Sequence, residues 1–157
     1  MPREYPAQPI LAVGVVLLDG DQVLLIRRGR APNAGKWSVP GGGVEAGEAM
    51  RTAAARELLE ETGLSATLGP IVEVLERIVA DEQGRAKYHY VIVDFLGTEP
   101  RGQLLAGDDA SEARFVRVDE LGRYEATDNL APVIDRARAI RDGEALAPVE
   151  PEAPLKV

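Results

Sequence analysis

One helix signal constrains this chain more than any other feature of its sequence. Residues Ala49 to Thr62 are rich in Ala, Leu, Glu and Arg and contain neither Gly nor Pro, so they favour an α-helix. Gly63 follows at the position where a left-handed residue commonly ends a helix. The segment before it, Gly29 to Gly43, is rich in Gly and Pro and predicts a long irregular loop. The sequence therefore predicts a long loop that leads into one well-defined helix.

Three glutamates share one face of this predicted helix. Glu57, Glu60 and Glu61 are spaced i, i+3 and i+4, and like charges at this spacing repel by roughly 0.2 to 0.5 kcal/mol per pair. The ordinary explanation for such a face is a solvated acidic surface. Because Ala55 and Leu59 make the side opposite the glutamates apolar, we expect little free surface on this helix. The carboxylates are then expected to project into a partly enclosed site, where a hard cation such as Mg²⁺ neutralises them.

The remaining elements predict a mixed sheet with helices packed on it. Ile10 to Leu18 and Val23 to Arg28 are β-rich runs joined by Asp19-Gly20-Asp21, a composition typical of a hairpin turn. Further strands are predicted at Ile71 to Ala80, Tyr88 to Leu96 and Arg114 to Val118, and a second helix at Asn129 to Arg141 with Thr127 or Asp128 as its N-cap. This order of elements indicates an α/β (α+β) fold.

Length and composition limit the classes of function. A chain of 157 residues fits one domain, expected over residues 1–144, followed by a Pro-rich C-terminal tail at 145–157. The net charge of −8 argues against a nucleic acid polymer as partner. A small anionic substrate would need metal ions or a local cluster of arginines to attract it. With no cysteine and one histidine, any metal should be held by oxygen atoms.

Hydropathy predicts a protein that acts away from membranes. The apolar run from Ile10 to Leu18 is followed directly by Asp-Gly-Asp and is interpreted as a strand rather than a signal peptide. No run approaches the roughly 20 apolar residues of a membrane span. We therefore expect a cytoplasmic protein.

The segment that starts at Gly42 carries a known family signature. It has a glycine, five residues, Glu48, seven residues and then Arg-Glu-Leu-Leu-Glu-Glu-Thr-Gly-Leu, ending at Leu64. This resembles a complete Nudix box, the signature of the Nudix hydrolases. The sequence on both sides is similar to the family too, so that the resemblance extends over about Ile10 to Arg141.

The resemblance implies a fold, a reaction and a metal site. The fold would be the Nudix α/β/α sandwich, with a mixed sheet packed between helices. Members hydrolyse a nucleoside diphosphate linked to another moiety and use Mg²⁺, with Mn²⁺ as an alternative. By resemblance, the principal metal ligands would be Glu57, Glu60 and Glu61, with the Gly41 carbonyl adding an oxygen. Arg56 and Glu48 would support them as ion-pair residues.

Two assignments stay open at this level. The general base would be one of the three box glutamates or Glu112 from a later segment, because family members differ on this point. Substrate choice lies outside the box. Candidates for phosphate or base contacts are Arg27, Arg28, Tyr88, Tyr90 and Arg114.

The substrate has one preferred and two alternative interpretations. The sequence around Tyr88 to Phe95 and Asp108 to Phe115 resembles the ADP-ribose pyrophosphatase-like branch, so ADP-ribose or a related nucleoside diphosphate sugar is expected first. A nucleotide-pool cleaner acting on (deoxy)nucleoside triphosphates is the alternative enzyme. A non-catalytic nucleotide-sensing module is the distant alternative, since such modules usually lack box glutamates. A homodimer is compatible with the resemblance.

Overall fold

The computed structural model describes residues 2–144. Its strands are β1 (Ile10–Asp19), β2 (Gln22–Arg28), β3 (Trp37–Ser38), β4 (Gly41–Gly43), β5 (Leu64–Ala80), β6 (Ala86–Gly102) and β7 (Ala110–Arg117). Its helices are α1 (Met50–Thr62), a 3₁₀ helix (Val118–Arg123) and α2 (Leu130–Arg141). The tail predicted at 145–157 lies outside the described residues.

β1 occupies the centre of the sheet. The predicted hairpin is confirmed, because β1 and β2 pair antiparallel beside the turn, with Leu18 opposite Val23. Earlier in its course, β1 pairs antiparallel with β4 on one edge and parallel with β6 on the other. β6 continues antiparallel to β5, while β2 pairs antiparallel with β3 and β7. The sheet is therefore mixed, as the sequence predicted.

Side chains of β1 alternate between two cores, as the two-residue period of a strand requires. Val16 and Leu18 belong to the core that α2 covers, and Val15 and Leu17 to the core that α1 covers. β2 behaves in the same way, since its buried side chains are also divided between the two cores. The helices thus lie on opposite faces of the sheet, which confirms the α/β/α sandwich.

The first helix ends where the sequence predicted but is less enclosed than expected. Gly63 has a left-handed φ of 74°, and its N–H donates to the Leu59 carbonyl at 2.9 Å. Leu58 is fully buried, yet Ala55 is exposed and the Leu59 side chain is 56% exposed. The expectation of little free surface was wrong, because α1 packs on the sheet through one face only.

The long loop predicted from Gly29 to Gly43 contains two short strands. β4 forms because the backbone of Gly41 to Gly43 pairs with residues 12–14 of β1. A Cβ at Gly41 would overlap the Val13 carbonyl oxygen, so this close approach requires glycine. Glycine-rich composition predicted a loop here, and only the contact with β1 converts it into a strand.

Four other predicted elements differ at their boundaries. β5 and β6 are longer than predicted, because register shifts let the ladder continue past Gly69 and Pro70. β7 starts at Ala110 rather than Arg114. The N-cap of α2 is Asn129, in a left-handed conformation at φ 68° and without a side-chain cap, rather than Thr127 or Asp128. Local residue preferences predicted a capping side chain, whereas the chain enters α2 through a backbone turn.

Within residues 2–144, neither α-helix has the length and apolarity needed to cross a bilayer.

Gly63→Ala should lower the free energy of unfolding more than Gly84→Ala does. Both glycines have left-handed φ values, 74° and 79°, so Ala adds about 1 to 2 kcal/mol of backbone strain at each. A Cβ at Gly63 would also overlap the Gln103 carbonyl oxygen, whereas a Cβ at Gly84 would meet nothing within 4 Å. Urea denaturation should show an extra loss of about 1 kcal/mol or more for Gly63→Ala. Equal losses would contradict a tight contact between α1 and the segment after β6.

Candidate active site

A cavity of about 320 Å³ opens between the sheet, α1 and the start of α2. Apolar side chains form much of its wall: Ile10, Ala12, Val13, Ile26, Val39, Leu75, Ile92, Leu130 and Val133. Four arginines also line it: Arg3, Arg28, Arg30 and Arg77. The acidic side chains are Glu57, Glu61, Asp94, Asp109 and Asp128. This cavity provides the local cluster of arginines that an acidic protein needs to attract an anion.

The glycine strand β4 brings the acidic helix against the sheet. The Gly41 N–H donates to Glu61 Oε1 at 2.7 Å. A Cβ at Gly42 would lie 2.6 Å from both carboxylate oxygens of Glu57, so only glycine lets that side chain approach β4. Glu57 is 9% exposed and Glu61 is 2% exposed. Two glutamates of the predicted face are therefore enclosed, which contradicts the solvated explanation for them.

Arg56 holds the predicted support network together. Its guanidinium donates to both oxygens of Glu48 at 2.8 and 2.9 Å, to Glu57 at 2.8 Å and to Glu60 at 3.3 Å. It also donates to the Gly43 carbonyl at 3.1 Å. The Arg56 partner lowers the Glu48 pKa to about 2. The planar guanidinium thus ties α1 to the turn that follows β4.

The structure brings a further carboxylate to the acidic helix. Glu57, Glu60 and Asp108 each offer an oxygen atom, and these atoms all lie within 4.8 Å of one another. Asp108 comes from the segment before β7, which is tied to the end of α1 by a bond from the Gly107 N–H to the Glu61 carbonyl at 3.1 Å. The sequence pattern did not single out Asp108, and its only signal was the pair of adjacent aspartates. Glu61 points instead toward Gly41.

These residues fit a hard divalent cation. Burial raises the pKa of Glu57, and burial raises the pKa of Glu61 to about 8. Glu60 and Asp108 are exposed, so the expected enclosure holds for Glu57 and Glu61 only. Carboxylates held this close repel one another and favour a bound cation, and every available ligand atom in the group is oxygen. Glu57, Glu60 and Asp108 would hold Mg²⁺, with Glu61 and the Gly41 carbonyl beside them.

Two of the candidate substrate residues line the cavity. Arg28 donates through Nε to the Pro32 carbonyl at 3.0 Å, and burial followed by the nearby charge of Arg77 lowers its pKa. Tyr90 accepts a bond from Arg3 Nε at 3.3 Å. Both side chains are therefore positioned to meet a ligand.

The other candidates lie elsewhere among the described residues. Arg27 and Arg114 both pair with Glu112, at 3.2 and 2.8 Å, and Arg114 also stacks over the Trp37 ring at 5.0 Å. Tyr88 is buried and donates its hydroxyl to Glu4. None of these side chains lines the cavity. Glu112, a candidate base, thus has both carboxylate oxygens engaged by arginines.

Asp94 is a cavity residue that the sequence pattern did not single out. It is 3% exposed, and its Oδ1 has no hydrogen-bond partner within residues 2–144. Burial, reinforced by Glu73 and opposed by Arg77, raises its pKa to about 7. An acid within the apolar run Val91 to Leu96 was the available signal, since carboxylates are rarely fully buried without a partner.

Fold and site together define an α/β/α domain with an arginine-lined cavity. A set of three carboxylates suited to a divalent cation lies at the edge of this cavity, where Glu57 lines its wall. The family profile described as "NUDIX domain" matches residues 8–137. The chain therefore belongs to the Nudix family.

Similar proteins agree with this assignment. The chain is 36% identical over 113 residues to an ADP-ribose pyrophosphatase of Methanocaldococcus jannaschii, covering 72% of this chain and 64% of that protein. It thus spans less than two thirds of that relative. It is 36% identical over 129 residues to a putative 8-oxo-dGTP diphosphatase of Bacillus subtilis, covering 82% and 74% of the two chains. A solved MutT NUDIX hydrolase from Burkholderia pseudomallei superposes with a TM-score of 0.72 at 25% identity, covering 82% of this chain and 98% of that one.

Replacing Asp94 with Asn should change how stability depends on pH. The folded-state pKa of about 7 lies above the ordinary 3.8, so the folded protein keeps a proton that the unfolded chain releases. The contribution of Asp94 is therefore greatest below about pH 4 and falls as the pH rises to about 7, at up to roughly 1.4 kcal/mol per pH unit. Asp94→Asn lacks this fall. As the pH rises across that range, the free energy of unfolding of Asp94→Asn should therefore increase relative to that of wild type. Parallel curves would contradict the assignment.

Arg56→Lys should weaken metal binding. Lysine keeps the charge but cannot hold Glu48, Glu57 and the Gly43 carbonyl with one planar group. Calorimetric titration with Mg²⁺ or Mn²⁺ should give an affinity about 10-fold lower. Arg51→Lys is the matched control on the same helix, since Arg51 bonds to the Gly69 carbonyl instead. Equal affinities in the two variants would remove Arg56 from the metal site.

Proposed function

We propose that this protein hydrolyses a phosphoanhydride bond in a nucleoside diphosphate linked to another moiety, with Mg²⁺ as cofactor and Mn²⁺ as an alternative. The observation that carries the proposal is the convergence of Glu57, Glu60 and Asp108 into one carboxylate group, whose member Glu57 lines a cavity that arginines also line. Anionic phosphates need both features, because the arginines attract the substrate and the carboxylates hold the metal. The intact set of box glutamates in this Nudix chain favours an enzyme over a nucleotide-sensing module.

The residues divide the chemistry between them. A bound Mg²⁺ would neutralise phosphate charge and acidify a water. Glu57, Glu60 and Asp108 would hold the cation, while Arg56 fixes Glu57 and Glu60 so that their oxygens stay in place. Arg28 provides a positive charge for phosphate at the cavity wall.

Glu61 is the general base that the geometry favours over Glu112. Within the described residues, its one side-chain hydrogen bond uses Oε1 and the Gly41 N–H, which leaves the second oxygen to accept a proton from water. Both oxygens of Glu112 are held by arginines away from the cavity. Water then adds to phosphorus, the bridging P–O bond breaks, and two phosphate monoesters leave.

ADP-ribose or a related nucleoside diphosphate sugar is the proposed substrate. The similarity to the Methanocaldococcus jannaschii ADP-ribose pyrophosphatase supports it, as does the resemblance of the segments that carry Tyr90 and Asp108. The similarity to the putative 8-oxo-dGTP diphosphatase covers more of the chain and supports (deoxy)nucleoside triphosphates as the second candidate. We expect the enzyme to meet a small nucleotide in the cytoplasm rather than a polymer or a membrane.

A product panel with Mg²⁺ distinguishes the candidates. Release of AMP and ribose 5-phosphate from ADP-ribose supports the first substrate, and release of a nucleoside monophosphate with pyrophosphate supports the second. A panel without any phosphoanhydride hydrolysis would contradict the proposed function.

Glu57→Gln and Glu60→Gln should each lower kcat by about 100-fold or more. Each change removes a charged ligand atom from the group that Glu57, Glu60 and Asp108 form. Glu82→Gln, in the exposed turn between β5 and β6, is the matched control and should keep wild-type turnover. Steady-state kinetics at saturating Mg²⁺ make the measurement. Wild-type kcat in both site variants would refute this assignment of ligands.

A further inference from the structure

The cavity wall includes a buried acceptor that the proposed hydrolysis does not use. Asp94 lies on β6 directly opposite Gly14 of β1, and its Oδ1 is buried without a partner within residues 2–144. A Cβ at position 14 would overlap Oδ1, so glycine is required for this side chain to occupy its place. A buried polar atom without a hydrogen bond costs about 1 to 3 kcal/mol. This cost suggests that a ligand completes the site.

The surroundings of Asp94 define the shape and polarity of that ligand. Leu75, Ile92 and Val133 line the same cavity as Asp94. Arg77 lines it as well, and its positive charge opposes the rise in the pKa of Asp94. Apolar walls around a few polar groups fit a flat heterocycle, whereas a phosphate would not be placed against a buried carboxylate. The side chains of Leu75, Ile92 and Val133 offer no hydrogen-bond partner to a ribose.

We propose that Asp94 is a specificity-determining residue that accepts a hydrogen bond from an N–H group on the six-membered ring of a purine base. The amino group of adenine and the N–H groups of guanine both provide this donor. In this arrangement the arginine-lined wall and the acidic helix contact the phosphates, and Asp94 reads the base. The inference deepens the proposed function and rests on it for the class of ligand.

Binding of nucleoside monophosphates tests the proposal without turnover. The probes are AMP, GMP and purine riboside monophosphate, whose base carries no N–H on its six-membered ring. Calorimetry in Mg²⁺ at a pH well above the pKa of Asp94 keeps the carboxylate ionised, so that it only accepts. Wild-type protein should bind AMP or GMP at least about 10-fold more tightly than purine riboside monophosphate. The tighter of the two identifies the base.

A variant then assigns this discrimination to Asp94. Asp94→Asn keeps the volume of the side chain but adds an amide N–H that can donate to the ring nitrogen of purine riboside monophosphate. The ratio of affinities should fall to about 3-fold or less, mainly through tighter binding of that probe. Asp119→Asn is the matched control, because Asp119 is exposed and paired with Arg117, and it should keep the wild-type ratio.

Three outcomes decide the matter. A wild-type ratio near one would overturn the proposal and needs no variant, so it stands as a test even if Asp94→Asn fails to fold. A wild-type ratio that Asp94→Asn leaves unchanged would give the carboxylate a structural role only. Discrimination that depends on Asp94 in a protein that hydrolyses no phosphoanhydride would support the base-reading role while refuting the proposed function.

Discussion

The close contact between the glycine strand β4 and helix α1 is the constraint on which the site depends. β4 lies between β1 and the helix, and side chains would prevent both approaches: a Cβ at Gly41 would overlap β1, and a Cβ at Gly42 would overlap the Glu57 carboxylate. The same contact lets the Gly41 N–H bind Glu61. Three consecutive glycines are costly in a strand because they lose much conformational freedom on folding. Here they allow two glutamates to be buried against backbone.

That burial creates an electrostatic conflict that Arg56 relieves only in part. Its guanidinium reaches Glu48, Glu57 and Glu60 but makes no hydrogen bond to Glu61, whose pKa is raised to about 8 by burial. Asp108 adds another negative charge beside Glu57 and Glu60. A cluster of this composition is poorly suited to stabilise a fold and well suited to bind a cation, because cation binding recovers the cost of bringing like charges together.

The cavity wall carries residues for two tasks. Glu57 and Glu61 come from the acidic helix, Arg28 can contact phosphate, and Asp94 is the proposed base contact. The acidic helix and Asp94 are connected through β1, since Gly14 pairs with Gly41 on one side and with Asp94 on the other. One short stretch of backbone thus positions both the metal site and the proposed base contact.

The sequence alone determined the α/β/α class, the hairpin, both helices and the identity of the acidic helix face, because periodicity and the box pattern are local properties. It also indicated Arg56 and Glu48 as partners of that face. Only the tertiary structure decided that Gly41 to Gly43 form a strand and that Asp108 joins the glutamates. It also decided that Arg28 and Tyr90 line the cavity while Glu112 does not. The lack of a partner for Asp94 Oδ1 within residues 2–144 is likewise a tertiary fact. These facts depend on contacts between segments distant in the chain, and no local pattern encodes which distant groups will meet.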